Sequence, residues 1–413
     1  MKKTDLILQT GGLPDVVSID LPASKSISNR VLVMNALAGN NGPVGNLARC
    51  DDTEAMLGAL ASGGEEVNIG AAGTAMRFLT AYFAMQEGRT VLLDGSPRMR
   101  QRPVGILVDA LRACGACIRY AGEDGFPPLH ISGCRLSAPA VLRMEGSVSS
   151  QFVTALMLIA PYMENGLTLE LEGRVVSRPY IEMTAGLMRR FGAEVDVDDR
   201  RIRVAPGCYQ PVDFKVESDW SAAGYWYELK ALLPALGIRL RGLEAESLQG
   251  DSRVAELFRL MGVTTRFDAD GAVLGYDSSL VQPSLCIDLS GQPDLAQTVA
   301  VTACLKGIPF ELQGLSTLRL KETDRIEALC SQLGRLGYRL DASEAGVLCW
   351  SGEFSDVSTP VAIDTFDDHR MAMAFAPAAV IHPGLVIRDA AVVSKSYPDF
   401  WSHLEAAGFK IER

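Results

Sequence analysis

The chain has 413 residues, 48% of them hydrophobic and 22% charged, with nine cysteines and a formal net charge of −11. That length exceeds one ordinary core and predicts two domains, while the acidity argues against a nucleic-acid surface. Small anionic ligands stay open, because they answer to local clusters of Lys and Arg rather than to the total charge.

At the N-terminus two lysines precede an apolar run too short for a secretory signal. The longest apolar stretch, residues 371–387, is broken by Pro377, His382, Pro383 and Gly384. No membrane span is expected, and the cytoplasm follows as the compartment.

Along the chain, an amphipathic helix, a glycine and a short strand recur six times. The instances are residues 55–67 around Gly64, 107–118 around Gly115, 183–195 around Gly192, 254–264 around Gly262, 328–340 around Gly337 and 400–411 around Gly408. Each glycine stands where a left-handed helix C-cap prefers one. Three turns in each half predict an α/β protein of two domains with three units apiece. The length of a unit leaves room for two helices and about four strands.

Polar chemistry gathers where helices start. Lys25, Ser26, Ser28 and Arg30 lead into Val31-Leu32-Val33-Met34, and Gly73 to Arg77 lead into Phe78-Leu79. Ser147, Ser149, Ser150 and Gln151 precede Phe152-Val153, and Ser177-Arg178-Pro179-Tyr180 opens a helix with proline in its first turn. Leu318 to Ile326 places Lys321, Glu322, Asp324 and Arg325 before another helix, and Asp367-Asp368-His369-Arg370 opens one more. Helix N-termini present free N–H groups and the positive dipole end, so they suit phosphate and carboxylate. Serine at such a place more often caps the helix. An adjacent Lys25 or Gln151 is not needed by a cap. The arginines of residues 97–103, bounded by prolines, suit an arm closing over an anion in bidentate fashion.

Other chemistries find little support. A phosphate-binding G-x-x-x-x-G-K-[ST] loop is absent, and the four histidines are scattered; only His369 lies in a charged motif. An odd cysteine count in so long a chain does not make a disulfide framework. Cys114-Gly115-Ala116-Cys117 reads as a helix end, a glycine turn and a strand start, without the second pair a metal site needs. The residues alone therefore describe an enzyme for a multiply anionic small substrate, without metal or cofactor, using Lys, Asp and Glu for acid–base work.

Taken in order, LPASKSISNR, AGTAMR, RMRQRP, GSVSSQ, SRPY, PDLAQT, LRLKETDR, DDHRMAM and KSYPD closely resemble the 5-enolpyruvylshikimate-3-phosphate synthase family. The resemblance spans residues 21–400. It implies two similar domains, each three βαβαββ units in an inside-out α/β barrel, with ligands in a cleft whose closure excludes water. Domain boundaries by resemblance are 1–20 with 219–413, and 21–218. The implied reaction transfers the enolpyruvyl group of phosphoenolpyruvate to the 5-hydroxyl of shikimate 3-phosphate, with no cofactor. The expected partners are these two small molecules, without nucleic acid or membrane, and the chain is expected to act as a monomer.

Carried over motif by motif, Lys25, Ser26, Arg30, Ser149, Ser150, Gln151, Ser177, Asp294 and Lys321 would hold shikimate 3-phosphate. Lys25, Gly73, Arg102, Gln151, Arg325, Arg370 and Lys395 would hold phosphoenolpyruvate. Asp294, Glu322, Lys25 and His369 would be the catalytic groups. Departures from the family pattern occur at Ala71, Phe78, Thr317 and Ser218-Asp219-Trp220. The rival reading within the same fold, a UDP-N-acetylglucosamine enolpyruvyl transferase, usually carries a cysteine in the arginine loop. None stands between Pro97 and Pro103. A non-catalytic anion-binding homologue would keep the arginines while losing Asp294 or Glu322.

Overall fold

Alternate helices along the chain are buried over most of their length, and the sheets are arranged around them. The computed structural model describes residues 4–39, 42–357 and 361–413. It divides into one unit made of Met1–Pro22 and Glu217–Arg413, and a second made of Ala23–Val216.

The second unit contains α1 (Lys25–Leu37), α2 (Asp51–Ala61), α3 (Gly73–Ala84), α4 (Gly105–Ala113), α5 (Ser150–Ile159) and α6 (Arg178–Arg190). The central pair differ from the outer helices in sequence. Nearly every residue of α3 and α5 is buried, whereas α4 buries Leu107, Val108, Ala110 and Leu111 on one stripe. Strand Glu66–Asn68 runs parallel to Thr90–Asp94, with α3 as the crossover; Leu129–Ser132 and Cys117–Tyr120 complete that sheet antiparallel. Strands Leu142–Glu145, Leu167–Glu172, Arg201–Val204 and Val195–Val197 repeat the order around α5. Among the described residues the third repeat keeps only the parallel pair Phe214–Lys215 with Val44–Gly45.

The first unit carries α7 (Trp220–Leu232), α8 (Val254–Arg259), α9 (Ala296–Leu305), α10 (Arg325–Arg335), α11 (His369–Phe375) and α12 (Phe400–Ala406). All ten residues of α9 are buried, while α10 buries Arg325, Ile326, Ala328, Leu329, Gln332 and Leu333 at helical spacing. Its three four-stranded sheets share one order: a parallel pair, then two antiparallel strands. The pairs are Val16–Asp20 with Gly237–Arg241, Leu285–Asp288 with Phe310–Gln313, and Ala362–Ile363 with Leu385–Ile387. The whole of the second unit is inserted between Val16–Asp20 and α7. Strand Leu6–Thr10 pairs with Phe409–Glu412, which ties the N-terminal strand to the C-terminal one.

Six repeats with two helices each agree with the recurring pattern, and in each unit the alternate helices are the more fully buried ones. Two details differ from expectation. Gly115, Gly192, Gly262, Gly337 and Gly408 all adopt φ between 83° and 98° after their helices. Gly64 does not: α2 ends at Ala61 with Ser62 as its cap, and the Ser62 Oγ accepts from the Gly64 N–H at 3.2 Å. The expected four strands also fail in the repeat nearest the chain crossing, where the described residues supply two strands of two residues.

This topology fixes where side chains for chemistry can gather. Both strands of a parallel pair end at the same edge of their sheet, and each runs into the start of a helix. Such edges are where open α/β sheets place ligands.

Candidate functional site

In the second unit the start of α1 is capped by Ser24, whose Oγ accepts from the Ile27 N–H at 3.4 Å. Ser26 is therefore not the cap. Lys25 extends from the first turn to Asp52 on α2, Nζ to Oδ2 3.2 Å, with both side chains mostly buried. Arg30 is buried, and its guanidinium reaches Thr184 Oγ1 at 2.8 Å, the Ser26 carbonyl at 2.8 Å and Thr154 Oγ1 at 3.4 Å. Burial draws it down to about 10, so it stays charged at neutral pH. Arg30 thus braces the α1 start against α5 and α6.

Gly73 opens α3. A Cβ there would stand 2.5 Å from Arg102 Nη1, so the guanidinium lies directly on the glycine. The segment 97–103 is a tethered turn rather than a free arm. Met99 is buried, Arg100 is paired with Asp94 and exposed Arg98 bonds Gln101, so that only Arg102 turns inward. Arg77 rivets the region, donating to the Gly73 and Pro103 carbonyls, each at 3.1 Å. Gln151 on α5 donates to Thr74 Oγ1 at 3.1 Å, which joins the starts of α3 and α5.

The serines separate by role. Ser149 caps α5, accepting from the Gln151 N–H at 3.4 Å. Ser150 is a buried residue of the first turn. Ser177 stands before α6 at φ 55° and makes no side-chain cap bond. A serine held in the left-handed region without capping is a strained position of the kind that clusters at ligand sites.

In the first unit, three acids surround one buried arginine. Arg325, the first residue of α10, donates from Nε to Asp368 Oδ2 at 2.6 Å, from Nη1 to Asp294 Oδ1 at 2.8 Å and from Nη2 to Glu322 Oε2 at 2.9 Å. Asp294 also receives Lys321 Nζ at 3.3 Å and Arg370 Nη2 at 3.1 Å. Burial pushes the Asp294 carboxyl up, but Arg370, Lys321 and Arg325 outweigh it and hold the group far below the usual range. The same three carboxylates raise Arg325, against its burial.

Asp368 caps α11, accepting from the Arg370 N–H at 2.9 Å. His369 is buried, with Nδ1 3.8 Å from Asp368 Oδ1. Lys395 Nζ donates to the Asp367 carbonyl at 2.6 Å; Asp367 and Phe366 both have positive φ, 56° and 53°. Arg370 also meets Ser221 Oγ at 3.5 Å, and Ser221 in turn donates to buried Asp251.

The structure thus gathers Lys25, Ser26, Arg30, Gly73, Arg102, Ser149, Ser150, Gln151 and Ser177 at helix starts of the second unit. Asp294, Lys321, Glu322, Arg325, His369, Arg370 and Lys395 lie at helix starts and turns of the first. Sequence reasoning missed Asp52, Thr154, Thr184, Asp251 and the bracing part of Arg77. Among the described residues no group of three or more His, Cys, Asp or Glu side chains is placed to hold a metal ion, and no helix is long and apolar enough to cross a membrane.

Residues 61–404 match the family model for EPSP synthase (3-phosphoshikimate 1-carboxyvinyltransferase). The chain belongs to the EPSP synthase family. A 3-phosphoshikimate 1-carboxyvinyltransferase of Bacteroides fragilis is 48% identical over 396 residues, covering 96% of each chain. One of Idiomarina loihiensis is 37% identical over 427 residues, covering 93% of this chain and 95% of its own. The solved EPSP synthase of Acinetobacter baumannii covers both chains completely with a TM-score of 0.77 at 21% identity, a likeness of fold.

Proposed function

We propose that the chain transfers the carboxyvinyl group of phosphoenolpyruvate to the 5-hydroxyl of shikimate 3-phosphate, releasing phosphate, in the route to chorismate and the aromatic amino acids. The observation that carries this reading is the 48% identity across 96% of a named 3-phosphoshikimate 1-carboxyvinyltransferase. The chemistry of the helix starts supports it, since two multiply charged anions need many fixed cationic and N–H donors.

In this reading Ser26, Arg30, Ser149, Ser150, Gln151 and Ser177 hold shikimate 3-phosphate, with Lys25, Asp294 and Lys321. Gly73, Arg102, Arg325, Arg370 and Lys395 serve phosphoenolpyruvate, with Lys25 and Gln151. Arg325 already makes four hydrogen bonds to carboxylates. An anion arriving there shares or displaces Asp294 and Glu322, which frees them for proton transfer. Asp294 takes the proton from the 5-hydroxyl as that oxygen bonds to C2 of phosphoenolpyruvate, and Glu322 gives a proton to C3. The C2–phosphate bond then breaks with Lys25 steadying the leaving oxygen, and Glu322 recovers a methyl proton. His369, buried beside Asp368, is the fourth catalytic group in this reading. The protein acts as a cytoplasmic monomer.

The test is phosphate release from phosphoenolpyruvate with shikimate 3-phosphate or UDP-N-acetylglucosamine as acceptor. Release with shikimate 3-phosphate alone is expected. Release with the nucleotide sugar alone overturns the acceptor, and silence with both, in a protein that binds phosphoenolpyruvate, marks a non-catalytic homologue. A Glu322→Gln variant is expected to bind both substrates yet turn over about 10²–10⁴-fold more slowly. Lost binding with intact chemistry would move the proton elsewhere.

A further inference from the structure

The C-x-x-C spacing at Cys114 and Cys117 suggests a pair, but the fold separates them. Cys114, at the end of α4, points into the core, whereas Cys117 begins strand Cys117–Tyr120 and faces out. A different thiol meets Cys117. Strand Leu129–Ser132 pairs with it in the register Cys117↔Ser132 and then turns at Gly133. A Cβ at Gly133 would lie 1.8 Å from the Gln86 carbonyl, so only glycine fits that passage. The turn is fixed by the Gly133 N–H on Arg89 O at 2.8 Å and the Cys134 N–H on Ala84 O at 3.0 Å. Cys134 therefore faces back onto the start of the neighbouring strand. Its thiol donates to the Gly115 carbonyl at 3.4 Å, two residues before Cys117, and Cys117 is among the groups that act on its titration.

We propose that Cys117 and Cys134 form an oxidation site, a dithiol that peroxides close to a disulfide. The exposed Cys117 sulfur attacks one peroxide oxygen and the O–O bond breaks, leaving a sulfenic acid on Cys117 and one water. The Cys134 sulfur then attacks the Cys117 sulfur, the S–O bond breaks, and the departing hydroxide leaves as a second water with the Cys134 proton. Two thiols and one peroxide give one disulfide and two waters. Burial, the largest influence, pushes the Cys134 thiol up, which suits the resolving partner rather than the first nucleophile.

An internal control exists. Cys286 and Cys349 also share a sheet, but each is paired with Glu311 from opposite sides. Two strand spacings put their Cα atoms roughly 10 Å apart, beyond the ~7 Å a disulfide spans. The proposed pair lies past the C-terminal end of α4, about 13 Å of helix from its start near Arg102, so closure leaves turnover unchanged.

The full chain is treated with a small excess of hydrogen peroxide, alkylated under denaturing, non-reducing conditions and mapped by mass spectrometry. The expected product is a single Cys117–Cys134 cross-link, reversed by dithiothreitol, absent from C117S and C134S, with unchanged phosphate release. A Cys114–Cys117 bond overturns the proposal. So does Cys117 accumulating as sulfinic acid beside a Cys134 that still alkylates, or both thiols surviving while exposed Cys208 oxidises.

Discussion

Asp368 grips Arg325 with both carboxylate oxygens, at 2.6 Å from Nε and 3.3 Å from Nη2, and neither side chain is more than 2% exposed. The cap of α11 and the first residue of α10 are thereby locked together where those helices start. A buried guanidinium that loses such a partner keeps its charge with only Asp294 and Glu322 left to offset it. Asp368→Ala is expected to cost about 3–5 kcal/mol, read as a lower urea midpoint at unchanged slope. Asp368→Asn keeps an acceptor for the Arg370 N–H and should lose less. Equal midpoints for wild type and Asp368→Ala would show that Arg325 relaxes to water.

Gly73 and Arg102 are in contact so close that no side chain fits between them. Gly73→Ala forces the guanidinium away while leaving the start of α3 helical, since alanine is a good helix former. If Arg102 grips phosphoenolpyruvate, KM for that substrate should rise about 10–100-fold, the value of a charge-assisted hydrogen bond, with a smaller change for shikimate 3-phosphate. Initial-rate kinetics with each substrate varied in turn decide it. An equal rise for both substrates would assign the loss to general disorder of the turn.

What the sequence made legible was local. Asp324, Asp368 and Ser149 act as caps at the helix starts that their residue types announce. Five of six repeat glycines are left-handed for the reason the pattern gives. Gly64 failed because Ser62 ends its helix two residues early, an outcome that a periodic apolar pattern does not encode. Partnerships over distance were not legible. Lys25 finds Asp52 27 positions on, and Arg325 finds Asp368 43 positions on, because parallel strands bring their exits to one edge. Nor did spacing show that Cys117 turns its back on Cys114, since alternation on a strand sends neighbours to opposite faces only once its register is set.

Glu228 on α7 is wholly buried, and neither of its carboxyl oxygens has a hydrogen-bond partner among the described residues. The nearby Thr302 hydroxyl gives its proton to the Thr298 carbonyl at 2.7 Å. Burial pushes the Glu228 carboxyl well above the ordinary glutamate range, more than Thr302 lowers it. The folded state therefore keeps a proton that the unfolded chain releases near pH 4.3. The associated stability is fully present below that pH and falls as pH rises toward and through the folded value, by at most about 1.4 kcal/mol per unit. Glu228→Gln, neutral at every pH, should melt increasingly above wild type from pH 5 to 8. Parallel melting curves across that range would mean that the wild-type carboxyl ionises in place.

Asp294 carries the opposite shift, and its sign constrains the reaction. Arg370, Lys321 and Arg325 overcome the burial that would raise it and keep it ionised far below neutrality. In the ligand-free protein it is therefore already a carboxylate at pH 5–8, so it contributes no acid limb to kcat/KM, which reports free-enzyme groups. Phosphate and carboxylate ligands that draw away the same three cations remove the cause of the depression. The carboxylate becomes a stronger base only when both substrates are bound. An acid limb belonging to Asp294 should then appear in kcat and not in kcat/KM. Asp294→Asn should lower kcat about 10²–10⁴-fold and abolish that limb. Persistence of the limb in Asp294→Asn would transfer the base to another group, with Glu322, which also shares Arg325, the first to test.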